Sequence, residues 1–352
     1  MTKTSLTRLT VATLLLSCNI NCLAAAFTNV FTPYKAEVEI AVEKGLNYLT
    51  AIQFKEGHFP GHYGKSTGIV SLVGMSFLSK GYTPTHGPHS NAIDKCINYL
   101  LNNQRLNGLI ADPDSRNEVM YSHNIATLFL SEVSGMVNLS TQVKIDHVLA
   151  KALRLIIAAQ QIKKPFKHQG GWRYHPDSTD SDVSCSGWAL MALRSAKMNG
   201  APVPDESIAD AIKYILKNSN SETGTFGYMD TRTHSKTLTG AGILCLELSG
   251  FHGKQATIRA GDYIMSIFQI PMNWQYYGNY YNSQAMFQLG GKYWSTFAQW
   301  FYPTYLSKQR SNGSWAGSEV SDTYSTTMTI LAFTVPYRQL PIYQRDETVY
   351  TD

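Results

Sequence analysis

Apolar residues along this chain fall into two kinds of segment that alternate. In the first kind they recur at helical spacing among Lys, Glu, Asp and Asn, as in Leu46-Asn47-Tyr48-Leu49, Ile97-Asn98-Tyr99-Leu100 and Ile212-Lys213-Tyr214-Ile215-Leu216. That pattern predicts amphipathic helices with one face in a core. In the second kind charge is almost absent and Gly, Ala, Ser and Thr are frequent. Examples are Thr67-Gly68-Ile69-Val70-Ser71-Leu72, the segment His123 to Leu128, Gly187 to Leu193, Gly240 to Leu244, and Thr327 to Leu331. Such helices are suited to burial on every side, with small residues where backbones approach closely.

The two kinds pair into six units, each a helical hairpin with generous loops. A turn containing Gly follows the outer helix in most units: Gln53 with Gly57 and Phe59, Gln104 with Gly108, Gln160 with Gly170 and Trp172, Gly224 with Phe226, and Gln309 with Gly313 and Trp315. The fifth unit is degenerate, pairing Ile258 to Phe268 with Gln284-Ala285-Met286-Phe287. A repeat of this kind governs the fold. Six charged and six uncharged helices predict an all-α protein, an (α/α)6 toroid with inner and outer rings; a linear solenoid of helix pairs is the alternative.

No linker, charge run or low-complexity tract divides the 352 residues, so one domain is expected over 27–352. Residues 1–26 read as a signal peptide: Lys3 and Arg8 precede the apolar run Val11 to Leu16, and Ala24-Ala25-Ala26 supplies a cleavage site. Export, to the periplasm or beyond, follows as an expectation. Leu15-Leu16-Ser17-Cys18 also resembles a lipoprotein signal, so membrane association is expected only if Cys18 is lipidated. The formal charge of +5 falls to +3 without the leader, which is no nucleic-acid footprint. Cys96, Cys185 and Cys245 then remain, too few and too widely spaced for a disulfide framework or a cysteine-rich metal site.

The element Gln309-Arg310-Ser311-Asn312-Gly313-Ser314-Trp315 resembles the QW repeat of squalene and hopene cyclases, and the chain is similar to that superfamily from about residue 35 to 335. The resemblance implies the toroid, a central cavity, and a glutamine that satisfies groups at helix ends. It fixes no reaction, because one fold serves unrelated chemistries. Asp180-Ser181-Asp182-Val183-Ser184 resembles the Asp-x-Asp-Asp-Thr motif of hopene-type cyclases, which implies Asp182 as a proton donor with Asp180 beside it. Val183 and Ser184 depart from that motif. Asp182 also stands where an N-cap is favoured. Against the zinc-binding prenyltransferases, Ser184 and Ser325 occupy ligand positions and Cys185 is out of register, so no metal and no cofactor are expected.

In a closed toroid the inner-helix N-termini converge on one mouth. Tyr121, His123, Tyr281, Asp322 and Tyr324 are expected there beside Asp182 and His234, with Trp172, Arg173 and His175 in the loop before. Such a rim suits a small hydrophobic or a glycan ligand. Three function classes stay open: an isomerase of the terpene-cyclase kind using Asp182, a carbohydrate-binding protein or polysaccharide lyase, and a non-catalytic scaffold. Two further features have both structural and binding readings. Lys163-Lys164-Pro165-Phe166-Lys167-His168 either is solvated surface or gathers an acidic polymer. Tyr276-Tyr277-Gly278-Asn279-Tyr280-Tyr281 either walls the cavity or fills the junction before the fifth inner helix.

Overall fold

A computed structural model describes residues 30–112, 114–115, 117–317 and 320–344; residues 1–26, and with them the leader and Cys18, lie outside the described residues. Twelve α-helices are present among them: α1 (Lys35–Ile52), α2 (Thr67–Ser79), α3 (Ser90–Asn102), α4 (Val119–Val133), α5 (Leu139–Gln161), α6 (Val183–Met198), α7 (Asp205–Lys217), α8 (Ser235–Leu248), α9 (Gln255–Ile267), α10 (Gln275–Leu289), α11 (Gly291–Leu306) and α12 (Asp322–Phe333). Four short 3-10 helices and isolated β-bridges accompany them, with no strand among the described residues.

The even-numbered helices form the inner ring. Each packs on the next, and α12 packs on α2, so the ring closes. The odd-numbered helices lie outside against their partners. Every residue of α2 is buried, whereas α1 buries only Val38, Ala41, Val42, Gly45, Leu46 and Leu49. That contrast explains the sequence: a helix surrounded on all sides carries few charges, as at Glu132, Arg194 and Glu247, and one facing solvent needs an apolar stripe only.

One turn recurs around the outside. The side-chain amide of Gln53 donates to the carbonyls of Gly57 and Ala92, each at 3.2 Å. Gln104 does the same to Gly108 and Val148, Gln160 to Gly170 and Ser207, and Gln309 to Gly313 and Ala41. Each glutamine therefore fastens its own turn to the next outer helix. The glycine of the turn has no room for a side chain: a Cβ on Gly57, Gly108, Gly170, Gly224 or Gly313 would lie 2.2–2.7 Å from a backbone carbonyl of that next helix. All five have positive φ, which suits Gly alone. The glutamine bonds reach carbonyls within the first turns of the neighbouring helix rather than helix ends, as at Ala41 and Ala92. It is Trp315 that serves a helix end, its indole N–H donating 2.7 Å to the carbonyl of Tyr305 in the last turn of α11.

The fifth unit departs from expectation. α10 begins at Gln275, so the tyrosine run lies inside the helix, and Tyr281 sits two turns down from its start. At the opposite end of the ring, the segment after α12 folds back beneath the inner helices. The backbone N–H of Ile342 donates 3.1 Å to Glu132 at the end of α4, and Gln288 at the end of α10 donates 2.8 Å to the carbonyl of Tyr343. The Tyr343 hydroxyl reaches that of Tyr280, half-way along α10.

Candidate functional site

Asp182 terminates the loop before α6 in extended conformation, and its Oδ1 accepts the backbone N–H of Cys185 at 2.8 Å. It is the N-cap that its sequence position suggested. Its Oδ2 accepts Arg173 Nη1 at 2.9 Å, and Tyr121 on α4 donates to Oδ1 at 3.4 Å. Burial raises the Asp182 carboxyl to about 6, although the Cys185 N–H, the Arg173 guanidinium and the Tyr121 hydroxyl all pull the other way. No surface of Asp182 is exposed.

Arg173 is the hub. Its Nε lies 3.3 Å from Asp180, its Nη1 donates 2.7 Å to the Tyr228 hydroxyl, and its guanidinium stands 4.0 Å from the Tyr174 ring centre and 5.2 Å from that of Tyr228. The hydroxyls of Tyr174 and Tyr228 bond to each other, and Ser184 shares a 2.6 Å hydrogen bond with Tyr277 of α10. The result is a mouth of half-buried tyrosines, Tyr121, Tyr174, Tyr228 and Tyr277, around a cation held between two carboxylates. Arginine suits this role because its planar fork pairs and stacks at once.

The other expected rim residues divide between the starts of inner helices and the interior. His123 is fully buried, its Nδ1 accepting the Ile110 N–H at 3.0 Å and its Nε2 3.2 Å from the Ala152 carbonyl, which requires the hydrogen on Nε2. Burial lowers it to about 4, so it stays neutral. Ser186, Thr239 and Thr326 do the same for the N–H groups of Trp172, Phe226 and Trp315, so His123 is a turn anchor of the repeat. Trp172 is buried with its indole donating to Ile156. His175 is exposed beside the loop. His234 is exposed at the start of α8 and meets the Tyr228 ring edge-on at 5.8 Å. Asp322 accepts the Gly317 N–H and pairs with Arg310 at the start of α12, and Tyr324 is buried there.

Tyr281 belongs to the axis rather than the rim. Trp188 of α6 stacks on Tyr280 at 5.9 Å and meets Tyr281 edge-on at 5.6 Å. α6 and α10 flank α8 in the ring, so these contacts join two inner helices that are not neighbours. Lys164 and His168 of the basic segment turn inward: Lys164 donates to the carbonyls of Ala159 and Gln160 at the end of α5, and His168 accepts the Ser181 N–H. Lys163 and Lys167 remain exposed.

Sequence reasoning overlooked Tyr174 and Tyr228. Their signal was in the repeat, since each stands two residues after the aromatic of its turn, Trp172 and Phe226. Among the described residues no group of three or more His, Cys, Asp or Glu is disposed to hold a metal ion. No described helix is long and apolar enough to cross a membrane.

The same ring recurs in solved structures. An alpha-1,6-mannanase of Salegentibacter sp., an inactive variant in complex with alpha-1,6-mannotriose, matches with a TM-score of 0.62 at 10% identity, over 85% of this chain and 99% of that one. The type II terpene cyclase MstE of Scytonema matches with a TM-score of 0.55 at 12% identity, over 87% of this chain and 100% of its own. A protein from Actinoplanes matches with a TM-score of 0.57 at 12% identity, over 85% and 99%. No protein-family profile and no curated protein sequence matches the chain. At such identities the likeness establishes the fold alone: the protein is an all-helical α/α toroid.

Proposed function

We propose that the protein is an exported, non-catalytic glycan-binding toroid built on QW-type repeats, with the tyrosine mouth as its binding surface. The observation that carries this reading is Arg173, stacked on Tyr174 and Tyr228 and neutralised by Asp180 and Asp182. Such an arrangement offers flat rings and several hydroxyls without a free charge, which suits the apolar faces and hydroxyl edges of a sugar. The glycan reading draws further support from a toroid neighbour holding a mannotriose.

Two catalytic readings find less support. Acid-initiated cyclisation needs a proton donor that reaches its substrate, and Asp182 is wholly buried with both oxygens bonded. At the tyrosine mouth an elimination would need Arg173 to have charge to spare for a uronate and His123 to reach it as base, whereas Arg173 faces two carboxylates and His123 is buried. The turn fastened by Gln309 and Trp315 supports the repeat reading, with the indole rather than the glutamine at a helix end.

Titration calorimetry of residues 27–352 with mannotriose tests the proposal. Binding that weakens about tenfold in Tyr228→Ala, roughly 1.4 kcal/mol, is the expected result. No binding to any of a panel of oligosaccharides, or a cyclised isoprenoid product that disappears in Asp182→Asn, would overturn it.

A further inference from the structure

Beside the mouth, an open cleft runs between the start of α8 and the loop that leads into α10. Arg232, His234 and Lys236 line it together with Ser235, Thr237 and Asn273, and no carboxylate does. Neither Arg232 nor Lys236 has an ion-pair partner among the described residues. The acid nearest in sequence, Asp230, spends its oxygens in its own loop, Oδ1 accepting the N–H groups of Arg232 and Thr233 at 2.8 and 2.7 Å and Oδ2 the Thr233 hydroxyl at 2.7 Å, and these bonds together with the Arg232 charge hold its carboxyl below the usual range.

The cleft is preformed and adjoins the tyrosines. Thr237 donates 2.8 Å to the Asn273 carbonyl and so ties its two walls together. His234, held at φ 57°, a conformation costly for a side chain of its size, presents its ring edge-on to Tyr228. Two unpaired cations and the positive end of α8 then face one concave space. Ordinary surfaces intersperse charges of both signs, and a cleft with cations alone concentrates anions.

Resting on the glycan reading above, we infer that the ligand is an acidic oligosaccharide whose carboxylate or sulfate group seats in this cleft between Arg232 and Lys236 while an adjoining sugar ring lies over Tyr228. The tyrosine mouth supplies the contacts to sugar faces, and the cleft supplies selectivity for charge.

Calorimetry of residues 27–352 at low salt, with trigalacturonate, a sulfated trisaccharide and mannotriose as probes, separates the two claims. At least one acidic trisaccharide is expected to bind about tenfold tighter than mannotriose, roughly 1.4 kcal/mol. The advantage should vanish in the double variant Arg232→Ala, Lys236→Ala and fade at high salt, while mannotriose affinity stays unchanged. Both side chains are exposed, so the variant is expected to fold. Which acidic probe responds tells carboxylate from sulfate. An acidic probe no tighter than mannotriose, or an advantage that survives in the double variant, would overturn this inference and leave the neutral-glycan reading in place. Binding of none of the three sugars removes both. Inorganic sulfate bound alone, with the sugars inert, would make the cleft a free-anion site and overturn the glycan assignment.

Discussion

The amide of Gln309 donates to the carbonyl of Ala41 at 2.8 Å, joining the turn after the last outer helix to the first outer helix, 268 residues earlier in the chain. The same bond made by Gln53, Gln104 and Gln160 joins sequence neighbours. Removing it at position 309 opens the outer ring at the place where chain connectivity gives no help. Gln309→Ala is expected to cost about 1–3 kcal/mol, because the Gly313 carbonyl is left without its partner. Thermal unfolding compared with Gln104→Ala checks the point. A variant as stable as the unaltered protein would show that helix packing alone closes the ring.

Gly313→Ala should be worse than its one-methyl change implies. The residue has φ +91°, and a Cβ would stand 2.3 Å from the Lys44 carbonyl. The backbone must shift, with an expected loss of roughly 2–4 kcal/mol. Gly135→Ala, with positive φ but open space around it, is the control and should lose about 1 kcal/mol. Equal losses in chemical denaturation would mean that the contact is dispensable.

At Asp182 the cap and the ion pair can be taken apart. Asp182→Asn keeps a good cap and removes a costly buried charge, so it is expected to melt close to the unaltered protein, whereas Asp182→Ala should lose about 0.5–2 kcal/mol. Arg173→Ala leaves the carboxylate buried beside weaker partners, at a cost of about 3 kcal/mol. That loss should shrink toward pH 5, where Asp182, already raised to about 6, takes up a proton. Denaturation of Arg173→Ala at two pH values decides it; a loss independent of pH would assign the damage to stacking on Tyr174 instead.

Glu132 offers a pH test at the other end. Burial raises its carboxyl from 4.5 to about 7 despite hydrogen bonds from Ser195 and the Ile342 N–H. The folded state therefore holds the proton more tightly than the unfolded chain, and stability falls as pH rises between those values. Glu132→Gln should flatten that slope and gain on the order of 2–3 kcal/mol above pH 8. An unchanged slope in urea denaturation across pH 5–8 would refute the assignment.

The ring was legible because its two helix sets live in different surroundings and their compositions record it. Asp182 as a cap was legible for a local reason, the N–H of Cys185 three residues on. The start of α10 was hidden because a helix buried all round, as at Asn279, Tyr280, Tyr281 and Asn282, carries no polar stripe to give it a period. His123 looked like a rim residue only because a histidine can replace Ser186, Thr239 or Thr326 as a turn anchor. The contact of Trp188 with Tyr280 joins distant segments, and no local pattern announces it.

The tail beneath the inner helices has a consequence for the shape of any ligand. With Ile342 and Tyr343 bonded to Glu132 of α4 and to Gln288 and Tyr280 of α10, on opposite sides of the ring, the toroid is a cup rather than a tube. A polymer cannot be threaded through it from end to end. What the cup can hold is a chain end dipped into its rim or a strand laid across it, and release must retrace the path of entry.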